Sequence, residues 1–238
     1  MKAFLLAAGY GTRLRPLTDR VAKCLVPING VPLLGWWFQL LDSHGISSVL
    51  VNTHYLAGQV SGFVDRYNAL NGFGAVVSHE SRLLGSGGTV KKNRGFIGDD
   101  SEFLVCYADS LTDIDIGRMR EFHASHDGAL TMALFRAERP RQCGIAELDG
   151  EGRIVAFEEK PAEPKGNLAN AGIYIADRSV FGCFPESEFS DFGKDVLPKL
   201  VGRMYGYEMS EYLIDIGTNE NYRKALREWR HDYNKNPV

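Results

Sequence analysis

The chain of 238 residues is long enough for one large domain with a well-buried core, and its 44% hydrophobic and 24% charged content is ordinary for a globular protein. A formal net charge of -3 gives no support to a general nucleic-acid or membrane-surface binder, so any affinity for a polyanion must come from a local site. Four cysteines without a C-x-x-C pair offer neither a zinc knuckle nor a redox dithiol, and six histidines form no H-x-x-x-H pair.

The apolar run at residues 3–8 predicts a buried strand that gives way to a loop holding Gly9, Gly11, Thr12, Arg13 and Arg15. Only about seven residues long, this run leads into Gly and Arg instead of a small-residue cleavage site, and so does not read as a signal peptide. Pro32 opens a predicted helix with an apolar stripe of Leu33, Trp36, Trp37, Leu40 and Leu41, stopped at Gly45. "SVLVNT" (48–53) reads as a strand, the spacing of Val60, Phe63, Val64 and Tyr67 as a helix, and "GAVVSHE" (74–80) as another strand. A helix is expected after Thr89. "EFLVCYAD" (102–109) is a strand running into acidic residues, followed by a helix through Met119 and Phe122 with Asp115 as its cap, then a strand at 129–135. The rhythm then changes. "IAELDGEGRIVAFEEKP" predicts a hairpin around "DGEG", "NAGIYIA" and "YLIDIGT" predict further strands, and a last helix starts after Thr218 on Tyr222, Leu226 and Trp229. Trp36, Trp37 and Trp229 sit on apolar stripes and are expected in the core.

Alternating strands and helices predict an α/β fold with a doubly wound, mostly parallel, Rossmann-like sheet and a smaller antiparallel portion. The expected organisation is a single domain over residues 1–238, its first half about 1–135 and its second about 136–238. Ligands of such sheets lie at the carboxyl ends of the strands. The polar segments after Ala8, after Glu80 and at Asp109 fall there.

"GYGTRL" lacks the third glycine of a dinucleotide fingerprint, since Leu14 stands in its place, and no GKS or GKT occurs for a P-loop. Its physical content is narrower. Glycines let backbone N–H groups approach an anion, Thr12 adds a hydroxyl, and Arg13 can give a bidentate contact to phosphate. Lys23 precedes an apolar patch. Asp109 and Asp215 each end a strand-like run, and two carboxylates sharing Mg²⁺ with phosphate oxygens is a usual way to hold that hard cation. Taken singly, each of these also fits a solvated charge, a turn or a helix cap.

The ordered combination is more specific. G-x-G-T-R-L-x-P-L-T followed by K-x-L-V-P-I resembles the signature of the sugar-1-phosphate nucleotidylyltransferases. The resemblance continues through "GSGGT" (85–89), "ADS" (108–110), "EEKP" (158–161), "NAGIY" (170–174) and "IDIGT" (214–218), covering almost the whole chain. Ala22 stands where the family usually has Pro, and Ala108 where it often has Gly. The resemblance implies that backbone at Leu6, Ala8 and Gly9 holds a base, with Glu80 and Gly85 also at the base. It implies that Gly11, Thr12 and Arg13 wrap the triphosphate, that Lys23 pairs with it, and that Asp109 and Asp215 hold Mg²⁺. On the sugar side it implies Lys160 at the phosphate, and Gly144, Glu159 and Asn170 at the sugar. A carboxylate at position 80 suits guanine, since it can accept from both N1–H and the exocyclic amine.

The implied reaction is attack by a sugar-phosphate oxygen on the α-phosphorus of an NTP with release of pyrophosphate. That nucleophile is already anionic, so no general base is needed; the barrier lies in bringing two polyanions together in line. Catalytic help is expected from Arg13, Lys23, Lys160 and Asp109. The compact domain and the "YLIDIGT" ending resemble the mannose- and heptose-1-phosphate guanylyltransferases. Transfer of a uridylyl or thymidylyl group to another hexose 1-phosphate is the alternative reaction. A non-catalytic nucleotide-sugar sensor and a phosphocholine-type cytidylyltransferase are the rival classes. No segment reaches the ~20 apolar residues of a membrane span, so a cytoplasmic protein with reduced thiols is expected, binding an NTP and a sugar 1-phosphate, without nucleic-acid or membrane partners. The oligomeric state stays open, a homo-oligomer included.

Overall fold

A computed structural model describes residues 1–233; the last five residues of the expected domain span, 234–238, lie outside the described residues. From the N-terminus the chain forms strand β1 (Lys2–Leu6), a two-strand ladder of β2 (Pro27–Ile28) and β3 (Val31–Pro32), and helix α1 (Leu33–Ser43). Strand β4 (Ser48–Thr53), helix α2 (Ala57–Asn71) and strand β5 (Gly74–His79) follow. Next come α3 (Gly85–Lys92), β6 (Glu102–Tyr107), β7 (Ser110–Thr112), α4 (Ile116–Ala124) and β8 (Leu130–Arg136). The hairpin strands β9 (Gly144–Leu148) and β10 (Ile154–Glu159), then β11 (Leu168–Asp177), β12 (Met204–Glu208), β13 (Leu213–Asp215) and α5 (Asn219–Glu228) complete the chain.

These elements form two compact units. Among the described residues, one contains residues 2–83, 107–113 and 212–233; the other contains Met1 and residues 84–106 and 114–211. In the first, β1, β4 and β5 are parallel, with β4 in the middle, and the register sets Leu5 beside Val51 and Asn52 beside Ser78. Buried on both faces, β1 and β4 carry near-continuous apolar runs, as parallel strands covered by helices must. Helix α1 buries Leu33, Leu34, Trp36, Trp37, Phe38 and Leu41. It ends at Gly45, whose φ of +71° closes the turn through a Gly45 N–H to Asp42 O bond of 2.9 Å. Each large side chain removed from water here contributes about 1.5–3 kcal/mol. All three tryptophans are buried; Trp36 donates to Ile28 O and Trp37 to Ser110 O, so these two indole nitrogens also fix local geometry.

In the second unit β11 is the central strand, antiparallel to β6, β8 and β9, while β9 and β10 form the expected antiparallel hairpin. Strand β12 runs parallel to β8. The fold is thus α/β, with a parallel three-strand core in one unit and chiefly antiparallel pairing in the other. Helix α4 starts at Asp115, whose carboxylate accepts from Arg118 N–H at 3.0 Å, as expected of a cap. Thr218 caps α5 in the same way through Asn221 N–H at 3.2 Å. Thr131 on β8 lies 2.8 Å from both His123 Nδ1 and His126 Nε2, and His126 stacks on Tyr205 at 4.1 Å.

Two sequence expectations need correction. The helix expected after Thr89 is α3, which begins earlier, at Gly85, and has Thr89 inside it. The "GSGGT" glycines lie on the helix because segment 188–190 packs against it. Gly87 N–H and Gly88 N–H both donate to Ser190 O, at 2.9 and 3.1 Å, and a β-carbon at Gly87 would stand 2.7 Å from Ser190 Oγ. Strand β6 stops at Tyr107, so residues 108–109 form a turn into β7 and Asp109 is held in that turn instead of ending the strand.

Candidate active site

The loop after β1 turns at Gly11, where φ is +65° and a β-carbon would stand 2.9 Å from Thr18 Cγ2 and 3.1 Å from Lys23 Cβ. Only glycine meets both demands without strain. The turn is fastened by its own carbonyl: Gly11 O accepts from Thr18 Oγ1 at 2.7 Å and from Leu14 N–H at 2.9 Å. Thr12, Arg13 and Leu14 then form one turn of 3₁₀ helix, burying Leu14 and leaving Arg13 exposed.

Strand pairing brings the two candidate metal ligands to the same place. Strands β7 and β13 are antiparallel with Asp215 opposite Ser110, and Ile216 N–H donates to Asp109 O at 2.8 Å. Lys23, with only 10% of its side chain exposed, reaches both carboxylates: Nζ lies 2.7 Å from Asp109 Oδ2 and 3.7 Å from Asp215 Oδ1. Arg13 Nη2 lies 3.8 Å from Asp215 Oδ2. Burial, and then the Asp109 charge, push the Asp215 carboxyl above its usual range, while Lys23 and Arg13 pull it back. Two carboxylates converging on one cationic centre, beside the Gly11 turn, are the kind of oxygen donors that could hold a hard divalent cation. Among the described residues there is no cluster of three or more His, Cys, Asp or Glu able to hold a metal, so protein would supply two ligands and phosphate or water the rest. Gly217 lies beneath this group and was not singled out from sequence. A β-carbon there would stand 2.6 Å from Asp215 Oδ2 and 2.8 Å from Arg13 Nη2.

At the end of β5, Glu80 is buried, and its N–H donates to Thr53 O at 2.8 Å. Its carboxylate accepts from Asn52 Nδ2 at 2.9 Å, and Asn52 Oδ1 accepts from Ala7 N–H at 2.7 Å. Leu6, Ala8, Gly9, Gly11, Thr12, Arg13, Lys23, Glu80, Asp109 and Asp215 therefore all belong to one unit. Gly85, the remaining candidate base contact, belongs to the other.

The sugar-side candidates share that other unit. Gly144 and Glu159 are paired across the β9–β10 ladder, and a β-carbon at Gly144 would stand 2.5 Å from Glu159 Oε2. Burial pushes the Glu159 carboxyl up, Lys160 lowers it and Asp191 raises it again. Lys160 has φ of +54°, and its N–H donates to Cys143 O at 3.1 Å, which turns its ammonium to within 3.8 Å of Glu159 Oε1. Asn170, at an irregularity in β11, donates to Tyr174 OH at 2.6 Å and accepts from Gly172 N–H at 2.9 Å. Asp191 is a neighbour that sequence reading missed. Its Oδ1 and Glu159 Oε2 would each lie 3.2 Å from a β-carbon at Gly193, so two carboxylates flank that glycine. No sequence spacing announces it, because Asp191 is brought there by the turn of π-helix at Phe192–Val196.

No helix of the described residues is long and apolar enough to cross a membrane. A profile of the family described as "Nucleotidyl transferase" matches residues 2–231. The chain is 33% identical over 233 residues to D-glycero-alpha-D-manno-heptose 1-phosphate guanylyltransferase of Aneurinibacillus thermoaerophilus, spanning 97% of this chain and 99% of that one. It is 31% identical over 226 residues to mannose-1-phosphate guanylyltransferase of Mycobacterium tuberculosis, spanning 92% of this chain and 62% of that longer one. The crystal structure of HddC from Yersinia pseudotuberculosis complexed with GMP-PN superposes with a TM-score of 0.80 at 26% identity, over 96% of this chain and 99% of that one. With a profile match over nearly its whole length and a relative 33% identical across 97% of it, the chain belongs to the nucleotidyl transferase family.

Proposed function

We propose that this protein transfers guanylyl from GTP to a mannose- or heptose-type sugar 1-phosphate, giving a GDP-sugar and pyrophosphate. The observation that carries this reading is the convergence of Lys23 on Asp109 and Asp215 beside Arg13 and the Gly11 turn. That group offers basic side chains for a polyphosphate and oxygen ligands for a cation. The guanylyl preference is supported by the buried, hydrogen-bonded carboxylate of Glu80, by the two guanylyltransferase relatives and by the GMP-PN complex of HddC.

In this reading the backbone of Leu6, Ala8 and Gly9 and the carboxylate of Glu80 hold the base. Amides and hydroxyl at Gly11 and Thr12 cradle the triphosphate, and Arg13 and Lys23 offset the charge of the departing pyrophosphate. Asp109 and Asp215 would hold Mg²⁺, which when bound lowers the negative charge on the α-phosphate. Lys160 neutralises the sugar phosphate, and Glu159, Asn170 and Gly144 orient the sugar. No residue is needed as general base, because the attacking phosphate oxygen is already ionised. The four cysteines, all free thiols, suit work in a reducing cytoplasm.

Pyrophosphate release measured across four NTPs, each with mannose, heptose, glucose and other sugar 1-phosphates, tests the proposal. GTP with a mannose- or heptose-type acceptor should be turned over fastest. Preferred turnover of UTP or dTTP would replace the guanylyl assignment, and nucleotide-sugar binding without turnover by any pair would make the protein a sensor. Asp109→Asn should lower kcat by about 100-fold or more while leaving the fold intact.

A further inference from the structure

Glu80 is 1% exposed, and a carboxylate that deeply placed needs fixed hydrogen-bond donors to stay aimed. Two hydrogen-bond runs reach it, one to its carboxylate and one to its carbonyl, and both end in the loop after β1. In the first, Ala7 N–H donates to Asn52 Oδ1 and Asn52 Nδ2 donates to Glu80 Oε1. A backbone N–H can only donate, so the Asn52 oxygen must face Ala7 and its NH₂ must face Glu80. In the second, His54 Nδ1 lies 2.7 Å from Glu80 O, and the Tyr10 hydroxyl lies 2.9 Å from His54 Nε2. A carbonyl can only accept, so Nδ1 carries the proton; in the neutral ring Nε2 is then the acceptor and the Tyr10 hydroxyl donates. The Tyr10 ring stands edge-on to His54 at 5.4 Å between centroids. Strand β4 lies between β1 and β5, so Asn52 near its end and His54 just beyond it can touch both neighbours.

We infer that Asn52 and His54 are positioning residues for base selection: together they tie both ends of Glu80 to the glycine loop. The backbone at residues 6–9 and the Glu80 carboxylate, which would meet different edges of the base, then keep one spacing. This rests on Glu80 being the group that reads the base. Neither Asn52 nor His54 is among the residues assigned to the phosphates, so their loss should change which nucleotide binds and leave phosphate binding alone.

The test is calorimetric binding of GTP and of UTP to the full chain with Mg²⁺ present, for wild type, Asn52→Ala, Tyr10→Phe, His54→Asn, the Tyr10→Phe/His54→Asn pair and Glu80→Gln, with melting temperatures alongside. Asn52→Ala removes both of its hydrogen bonds, of which the one to Glu80 aims the carboxylate, and should weaken GTP about tenfold and UTP less than about twofold. Tyr10→Phe and His54→Asn should each cost GTP about threefold, and the pair no more than the worse single variant, because both break the same run. Tyr10 is 45% exposed, so its hydroxyl can be removed without risk to folding, and it carries the test should Asn52→Ala misfold. Equal weakening of GTP and UTP in these variants would make the two residues mere structural supports and overturn the inference. If Glu80→Gln abolishes the GTP preference while Asn52→Ala and Tyr10→Phe keep it, the inference fails and the base reading stands. If Glu80→Gln keeps the preference, both fall.

Discussion

Lys23 and Asp109, 86 positions apart in the chain, meet in a 2.7 Å ion pair that also draws in Asp215 at 3.7 Å. A nearly buried ammonium is tolerated because two carboxylates compensate it, and the two carboxylates are held close because the ammonium screens their repulsion. With one positive and two negative side chains in the trio, the excess charge falls on a carboxylate.

Asp215 shows the imbalance directly. Its carboxyl pKa is raised by burial and by Asp109, so the folded state holds that proton more tightly than the unfolded chain does. Its ionisation therefore costs stability once pH rises through the raised folded value, and costs none below the ordinary carboxylate range. Asp215→Asn should accordingly melt higher than wild type near neutral pH without metal, with the gain vanishing in acid. Saturating Mg²⁺ should reverse the order, since only the wild type keeps both ligands. Scanning calorimetry at two pH values, with and without Mg²⁺, measures both effects.

Gly217→Ala inserts a β-carbon between Arg13 and Asp215, at 2.8 Å and 2.6 Å respectively. Side-chain ends can move aside more cheaply than backbone, so the fold should survive. The expected result is a fall of about tenfold in kcat/KM for the nucleotide, with a stability loss under about 2 kcal/mol in urea titration.

Lys160 has a 62% exposed side chain and its ion pair to Glu159 is long at 3.8 Å, so truncation should cost little stability. Lys160→Ala should raise KM for the sugar 1-phosphate by about tenfold or more and leave that of the NTP within about twofold. The reverse pattern in initial-rate kinetics would exchange the assignments of Lys160 and Lys23.

His126 is pushed down from 6.5 to about 4, chiefly by burial and then by the neighbouring His123. The folded state favours the neutral ring, so this contribution is complete above pH 6.5 and is lost as pH falls towards 4. His126→Phe, which can keep the stacking on Tyr205, should flatten the decline of the melting temperature between those values.

Much of the fold was legible because it is written in local pattern. Helical spacing of Val60, Phe63, Val64 and Tyr67, the cap at Asp115, the helix start after Thr218 and the stop at Gly45 each depend on a few consecutive residues. Strand β12 escaped because "MYGYE" mixes apolar, glycine and charged positions, and it is a strand only by virtue of lying beside β8. The start of α3 escaped for a related reason. Glycines at 85, 87 and 88 read locally as loop, whereas the close approach of Ser190 explains why they are needed on a helix.

For the site, sequence alone determined the ingredients: a glycine turn with Arg13, a lysine soon after it, and acidic residues beside strand-like runs, in an order that resembles one family. Tertiary structure decided who meets whom. Asp109 and Asp215 lie together because β7 and β13 pair in one register, and Asp191 nears Glu159 through a π-turn. Asn52 and His54 carry no motif, yet they fasten Glu80 because β4 is sandwiched between its neighbours. Hydrogen bonds and ion pairs act over about 3–4 Å in space whatever the separation along the chain, so only the folded arrangement reveals them.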